Sequence, residues 1–303
     1  MIQFFYLTKR NLLLYFRDRG AVFFSLLSML IIIALMLLFL GDMHINSIVE
    51  VLSQIPAHDT SDDKKNAELF MLAWTVAGII PINSAMVSLS ALSSIIKDKE
   101  TGRSGAIHTA PISRFTITMS YITAACIASV LICMITLALS EGYLCNKGME
   151  ILSFSEHIRL FGMILVNSFT YSAIMYLCAV FVKSGGAWSG LGTVIGTLVG
   201  FLGGIYLPIG NLPEGLQNVL GCTPVIYGTV MFRNVMTDSI IDMTFADAPV
   251  EMIGKTESIM GIDYRVFGNS VSVAECIMVV LAFGLVFTMI GAAVTVFKNQ
   301  KDR

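Results

Sequence analysis

KDKETGRSGAIHTAPISR occupies residues 97–114, and six of these eighteen residues are charged. The 28 residues before it, Leu69 to Ile96, carry no charge, and neither do the 26 after it, Phe115 to Ser140. A helix rises 1.5 Å per residue, so about 20 apolar residues cross a hydrocarbon core of about 30 Å. Two membrane-crossing helices joined by a compact polar turn is therefore the reading of residues 69–140. The rest of the chain agrees with it. Of 303 residues, 55% are hydrophobic and only 13% are charged, against about 25% charged in soluble domains. So little polar surface excludes a water-soluble globule of this size. The class that follows is an all-α integral membrane protein.

Six apolar stretches are long enough to span, at about 21–40, 69–96, 115–140, 160–182, 186–207 and 276–297. The second and third exceed the need, so they tilt or project beyond the bilayer. Pro81 kinks the second. The run at 21–40 follows Lys9, Arg10, Arg17 and Arg19 as in a signal peptide. It is too long for one, and no small-x-small cleavage site follows it, so it reads as a retained first span.

Lys and Arg set the orientation. Residues 1–20, 97–114, 183–186 and 298–303 hold 12 of the 19 basic residues and 4 of the 21 acidic ones. Both termini and the 97–114 loop are thus expected on the cytoplasmic side of the cell membrane. The acidic segments 41–68, 141–159 and 208–275 are expected outside. Residues 1–19 mix Phe4, Phe5, Tyr6 and Leu12 to Leu14 with basic residues, which suits an interfacial helix near anionic headgroups or simply a topogenic cluster.

Within 208–271, LPIGNLPEGLQNVLGCTPVIYGTVMFRNV reads as two short helical pieces, the first starting at Pro213. The break between them holds Cys222 and Pro224. Each piece is too short to span, so the pair is expected as an outer re-entrant hairpin or as a surface helix. The acidic stretch 238–265 is expected as an exposed loop. In the fifth span Gly192, Gly196, Gly200 and Gly204 recur every fourth residue beside Phe201. That stripe allows close helix approach within the chain, at a subunit interface or along a pathway wall against the second span. Asn83 in the second span is a further pathway or helix-interface candidate.

Several chemistries are disfavoured. No ionisable residue lies mid-span, where ion-coupled carriers keep their coupling groups. The six cysteines have no metal-ligand spacing, and whether Cys145 pairs with Cys222 is open. Gly254-Lys255-Thr256 lacks the upstream glycine of a phosphate loop, since position 249 is Pro. No catalytic residue or metal site is expected, and neither is a nucleic-acid partner.

Three stretches in this order, RDRGAVFFSLL (17–27), the 97–114 loop and FLGGIYLPIGNLPEGLQNVLGCTPVIYGTVMFR (201–233), resemble the type-2 permease subunits of ATP-binding cassette exporters. The resemblance implies a half-transporter that pairs with a second permease chain, as a homodimer or heterodimer. It also implies docking to a separate ATPase subunit, which would bring ATP and Mg. Its coupling elements would be Glu100, Thr101, Gly102 and Arg103 in the loop, with Arg17 and Asp18. Multidrug efflux is the expected function, as export of a drug, antibiotic or antimicrobial peptide. Export of a polysaccharide or teichoic-type polymer is the alternative, as is a non-transporting sensor or immunity subunit.

Overall fold

A computed structural model of the chain describes residues 2–35, 41–53, 60–205, 208–246, 248–266 and 269–301. The C-terminal part of the expected first span, 36–40, lies outside them, as do 206–207 of the fifth. The order is helix α1 (Ile2–Arg17), α2 (Arg19–Leu35), α3 (Gly41–Leu52), α4 (Thr60–Glu100), α5 (Arg103–Thr109), α6 (Arg114–Asn146), α7 (Phe154–Phe181) and α8 (Gly185–Leu202). These are followed by α9 (Glu214–Leu220), α10 (Pro224–Thr244), α11 (Val250–Met260), the strands β1 (Arg265–Val266) and β2 (Asn269–Ser270), and α12 (Val273–Lys301).

Five of these helices, α4, α6, α7, α8 and α12, are long and apolar enough to cross a membrane. The expected first span corresponds to α2, which is described over 17 residues. Helix α4 is the hub. It packs against α6, α7 and α10 and also touches α1, α2, α3 and α8. Its most apolar stretch is 83% buried, against 22% in α8 and α12. The last two are therefore peripheral, with apolar faces left for lipid or a partner.

Pro81 sits inside α4, where its missing N–H breaks the helical ladder. Neighbouring side chains reach the α4 backbone around this point. Asn167 Nδ2 donates to the Pro81 carbonyl at 3.5 Å, Cys133 Sγ to Ile80 O at 3.7 Å and Ser129 Oγ to Ser84 O at 3.2 Å. The bond Pro81 cannot make is the one to the Ala77 carbonyl; these three instead tie the α4 backbone beside the proline to its neighbours. They come from α6 and α7, the two helices that also bury Asn83, whose Nδ2 donates to Thr136 Oγ1 at 2.8 Å.

The caps are legible in the residues. Ser113 accepts from Thr116 N to start α6. Ser153 and Glu156 form a reciprocal capping box at α7. Ser184 accepts from Ala187 N at α8.

Two expectations about 208–271 are corrected. The second helical piece is not short, because α10 runs 21 residues and is buried along most of its length. Pro224 starts it at a position where no N–H is needed, and Gly228 lets it press against α7. A Cβ at Gly228 would stand 2.8 Å from Asn167 Oδ1. The stretch 238–265 is not one exposed loop either. It ends α10, forms α11 and enters β1, and it buries Ile240, Ile241, Phe245, Met260, Ile262 and Tyr264. Apolar residues scattered among acids lack the periodicity that marks such burial in sequence. Gly254-Lys255-Thr256 lies within α11, not in a loop. Cys145 and Cys222 are free thiols.

At the acidic end of the bundle, His157 on α7 reaches Glu141 on α6 at 2.9 Å, and its Nδ1 contacts Ser153 O. The Ser153 carbonyl first, then Glu141, raise the His157 pKa above its ordinary value. A raised folded-state value means the tie is fully present below the unfolded value, about 6.5, and is lost as pH rises through the raised one. The melting-temperature difference between wild type and His157→Gln should therefore be larger at pH 5.5 than at pH 9. With His157 a third exposed, the tie is worth at most about 1 kcal/mol. An equal difference at both pH values would contradict the tie.

Candidate functional site

The sequence KDKE, residues 97–100, forms the last turn of α4. Each of its four charges goes to a different element. Lys97 pairs with Asp18 at the α1–α2 elbow, Nζ to Oδ2 at 2.8 Å. Asp98 is 3% exposed and takes both forks of Arg10 on α1, at 2.6 and 2.8 Å. Tyr121 on α6 donates to the same carboxylate at 2.8 Å. Lys99 Nζ donates to the carbonyls of Ala179, Val180 and Val182, where α7 ends. Glu100 Oε1 accepts from Gly185 N, where α8 begins, at 2.6 Å.

The signs fit the backbone. A helix C-terminus is partially negative and an N-terminus partially positive. Lys99 therefore suits the end of α7 and Glu100 the start of α8, and one dipeptide clamps both sides of the 182–184 turn. Arg10 on Asp98 is a bidentate pair, the strongest form of this contact. The Lys97–Asp18 pair is exposed and weak on its own, although Lys97 and the Ala21 amide hold the Asp18 pKa below the usual range.

Beyond Glu100 the chain must turn sharply. Gly102 does so at φ 72°, a left-handed conformation that favours glycine. The short helix α5 follows, with Gly105, Ala106 and Thr109 exposed. A cleft of about 1150 Å³ separates α5 and the 110–113 turn from the bundle, with Tyr121, Tyr176 and Lys183 on its walls. Thr101, Gly102 and Arg103 are exposed at the corner. The six expected coupling residues thus lie around one junction, and three of them, Glu100, Asp18 and Thr101, have side chains engaged within the chain. Sequence reasoning missed Arg10, Tyr121 and Lys99. The alternation of opposite charges in KDKE was the available signal.

The expected pathway residues divide. Asn83 is buried between α4 and α6, a helix interface within the chain. Gly192 and Gly196 face α4, where an added Cβ would stand 3.2 Å from Leu89 and 3.1 Å from Met86. Gly200 is buried, and Gly204 ends the helix at φ 64°. Phe201 points outward with Val194 and Leu198. Gly196→Leu should cost about 1–3 kcal/mol by overpacking, seen as a lower melting temperature in detergent. An unchanged melt would remove Gly196 from the α4 contact.

At the far end, Pro213 precedes α9, and Cys222 lies in the exposed corner before Pro224. Tyr227 and Tyr264 fasten that corner through the carbonyls of Gly221 and Gln217, at 2.8 and 2.6 Å. Behind it Arg233 is fully buried. Its guanidinium lies 4.0 Å from the Trp74 ring centre. It donates to the carbonyls of Gly203, Gly204 and Met260 at 3.3, 2.9 and 3.2 Å. Among the described residues no carboxylate is within ion-pair distance of it.

Residues 43–293 match the family model described as ABC-2 family transporter protein. The chain belongs to the ABC-2 transporter family. A search of curated proteins finds no match. The ABC-2 permease is thus a multi-pass membrane component of transport, of a family that partners an ATP-binding cassette ATPase. The KDKE turn at this junction lies within the matched residues.

Proposed function

We propose that this chain is the permease subunit of an ATP-binding cassette exporter that moves an amphipathic or hydrophobic compound, such as a drug, antibiotic or antimicrobial peptide, out of the cell. A separate ATPase subunit supplies ATP and Mg and docks on α5 and the Thr101–Gly102–Arg103 corner. Two permease chains pair in the cell membrane with both termini cytoplasmic, an orientation supported by the basic residues at the α5 end.

The observation that carries this reading is the KDKE junction. A push on α5 reaches α4 directly. From there it reaches α1, α2, α6, α7 and α8 through side-chain contacts that each end on a different element. Glu100 and Asp18 act as transmitters, and Arg17 flanks the elbow. The cleft beneath α5 gives that helix room to move.

The test is co-purification with candidate ATPase subunits and ATPase assays in nanodiscs, against drugs, peptides and lipid-linked glycans. Ala106→Arg on the exposed face of α5 should weaken ATPase binding about tenfold or more, an energy of about 1.4 kcal/mol. Glu100→Gln should leave binding intact and lower substrate-stimulated activity. Failure of every ATPase to bind would sink the transporter reading. Stimulation by glycans alone would replace the cargo with a polymer.

A further inference from the structure

A second cleft, of about 540 Å³, lies between the α1–α2 elbow and the foot of α4. That volume is in the range of small-molecule sites, about 300–1,000 Å³. Four basic residues line it, Arg17, Arg19, Lys97 and Arg103, with two acidic ones, Asp18 and Asp98. Both carboxylates are already taken, Asp18 by Lys97 and Asp98 by Arg10. Among the described residues Arg17, Arg19 and Arg103 have no hydrogen-bond or ion-pair partner. The back wall is α4, where Ser90 and Ser93 present hydroxyls that also lack a protein partner among those residues.

Three exposed, unpaired guanidinium groups around a hydroxyl-lined hollow suit a phosphate, which arginine binds in a bidentate fork. The surroundings select an amphiphile. Phe23 and Phe24 at the start of α2 are 59% and 66% exposed, and Leu13 is exposed on α1. Apolar surface therefore continues from the charged hollow along α2, the direction acyl chains would take beside a membrane helix. The exposed Ile2, Phe5 and Tyr6 on α1 mark the same interfacial level.

We propose that this cleft binds the phosphate headgroup of an anionic phospholipid and so fastens the α1–α2 elbow to α4. The inference goes beyond the transport reading and needs no ATPase.

The test uses the full chain alone, purified in detergent. It is titrated with phosphatidylglycerol, phosphatidylcholine or glycerol 1-phosphate, and bound lipid is counted by native mass spectrometry. Phosphatidylglycerol should bind at least about tenfold more tightly than phosphatidylcholine. Arg17→Gln with Arg103→Gln should lose about tenfold or more, as expected for two basic residues near an anionic group. Arg159→Gln, at the opposite end of the bundle, should change nothing. A photoactivatable phosphatidylglycerol should label residues 14–21 or 90–103 of the unaltered chain, which tests the site even if the double variant does not fold. Equal binding of the two lipids, equal loss in Arg159→Gln, or labelling elsewhere would overturn the proposal. Binding of glycerol 1-phosphate as tight as that of the lipid would overturn the lipid and leave a soluble phosphate.

Discussion

Arg233→Ala is expected to be the most damaging single substitution in the chain, costing about 3–5 kcal/mol. The guanidinium is fully buried and holds three carbonyls at the ends of α8 and α11. It also covers the face of Trp74, a contact worth about 2 kcal/mol when desolvated. Truncation leaves a void and removes a donor from each of those carbonyls. Gly78 on α4, packed against Ile205 and the guanidinium, has no side chain to fill the gap. A Cβ there would stand 3.4 Å from Nη2. The measured outcome should be a melting temperature lower by roughly 10 °C in detergent. Arg233→Lys should recover part of it, since one ammonium can reach some but not all of the carbonyls. A melt within 2 °C of wild type would show that Arg233 is a passenger.

The second large effect is expected at Asp98. Asp98→Ala deprives Arg10 of its bidentate partner and leaves the Tyr121 hydroxyl buried without its acceptor. Breaking a buried pair costs about 3–5 kcal/mol. Arg10 is about a third exposed and water can recover part of that, so about 2–3 kcal/mol is expected. Arg10→Ala should cost at least as much, because it leaves the buried Asp98 carboxylate without its counter-ion and with the Tyr121 hydroxyl alone in place of the bidentate pair. The double variant should cost less than the sum of the singles, a coupling that a double-mutant cycle measures. Simple additivity would mean that the two side chains act independently. Activity should fall further than stability does, because α1 would no longer follow α4.

Much of this architecture is legible in the residues because hydrocarbon is an exacting solvent. A run of about 20 apolar residues has few alternatives to a spanning helix. The runs at 69–96, 115–140 and 276–297 fall in long apolar helices, the run at 160–182 does so as far as Phe181, and the run at 186–207 as far as Leu202. The glycines at 192 and 196 announce a close contact with the second span among its possible partners, and the helix they meet is that span, α4. The length of α10 was hidden for a different reason. Its last two turns, TDSIIDMT, carry acids beside Ile240 and Ile241, and what buries the isoleucines lies far away in sequence. The junction was half visible. Four charges at the end of a long apolar helix marked a site, while the ends of α7 and α8 that two of them serve are reached only through folding.

The last turn of α4 carries its four charges on consecutive residues, and a helix with 3.6 residues per turn swings about 100° at each step. Lys, Asp, Lys and Glu therefore radiate around the axis like spokes, covering nearly the whole circumference. One residue inserted upstream of Lys97 would rotate the entire set by one step and present every spoke to the wrong neighbour. Asp98 would turn away from Arg10, and Glu100 would no longer face the start of α8. This stretch should accept conservative exchange at single positions more readily than any change in length.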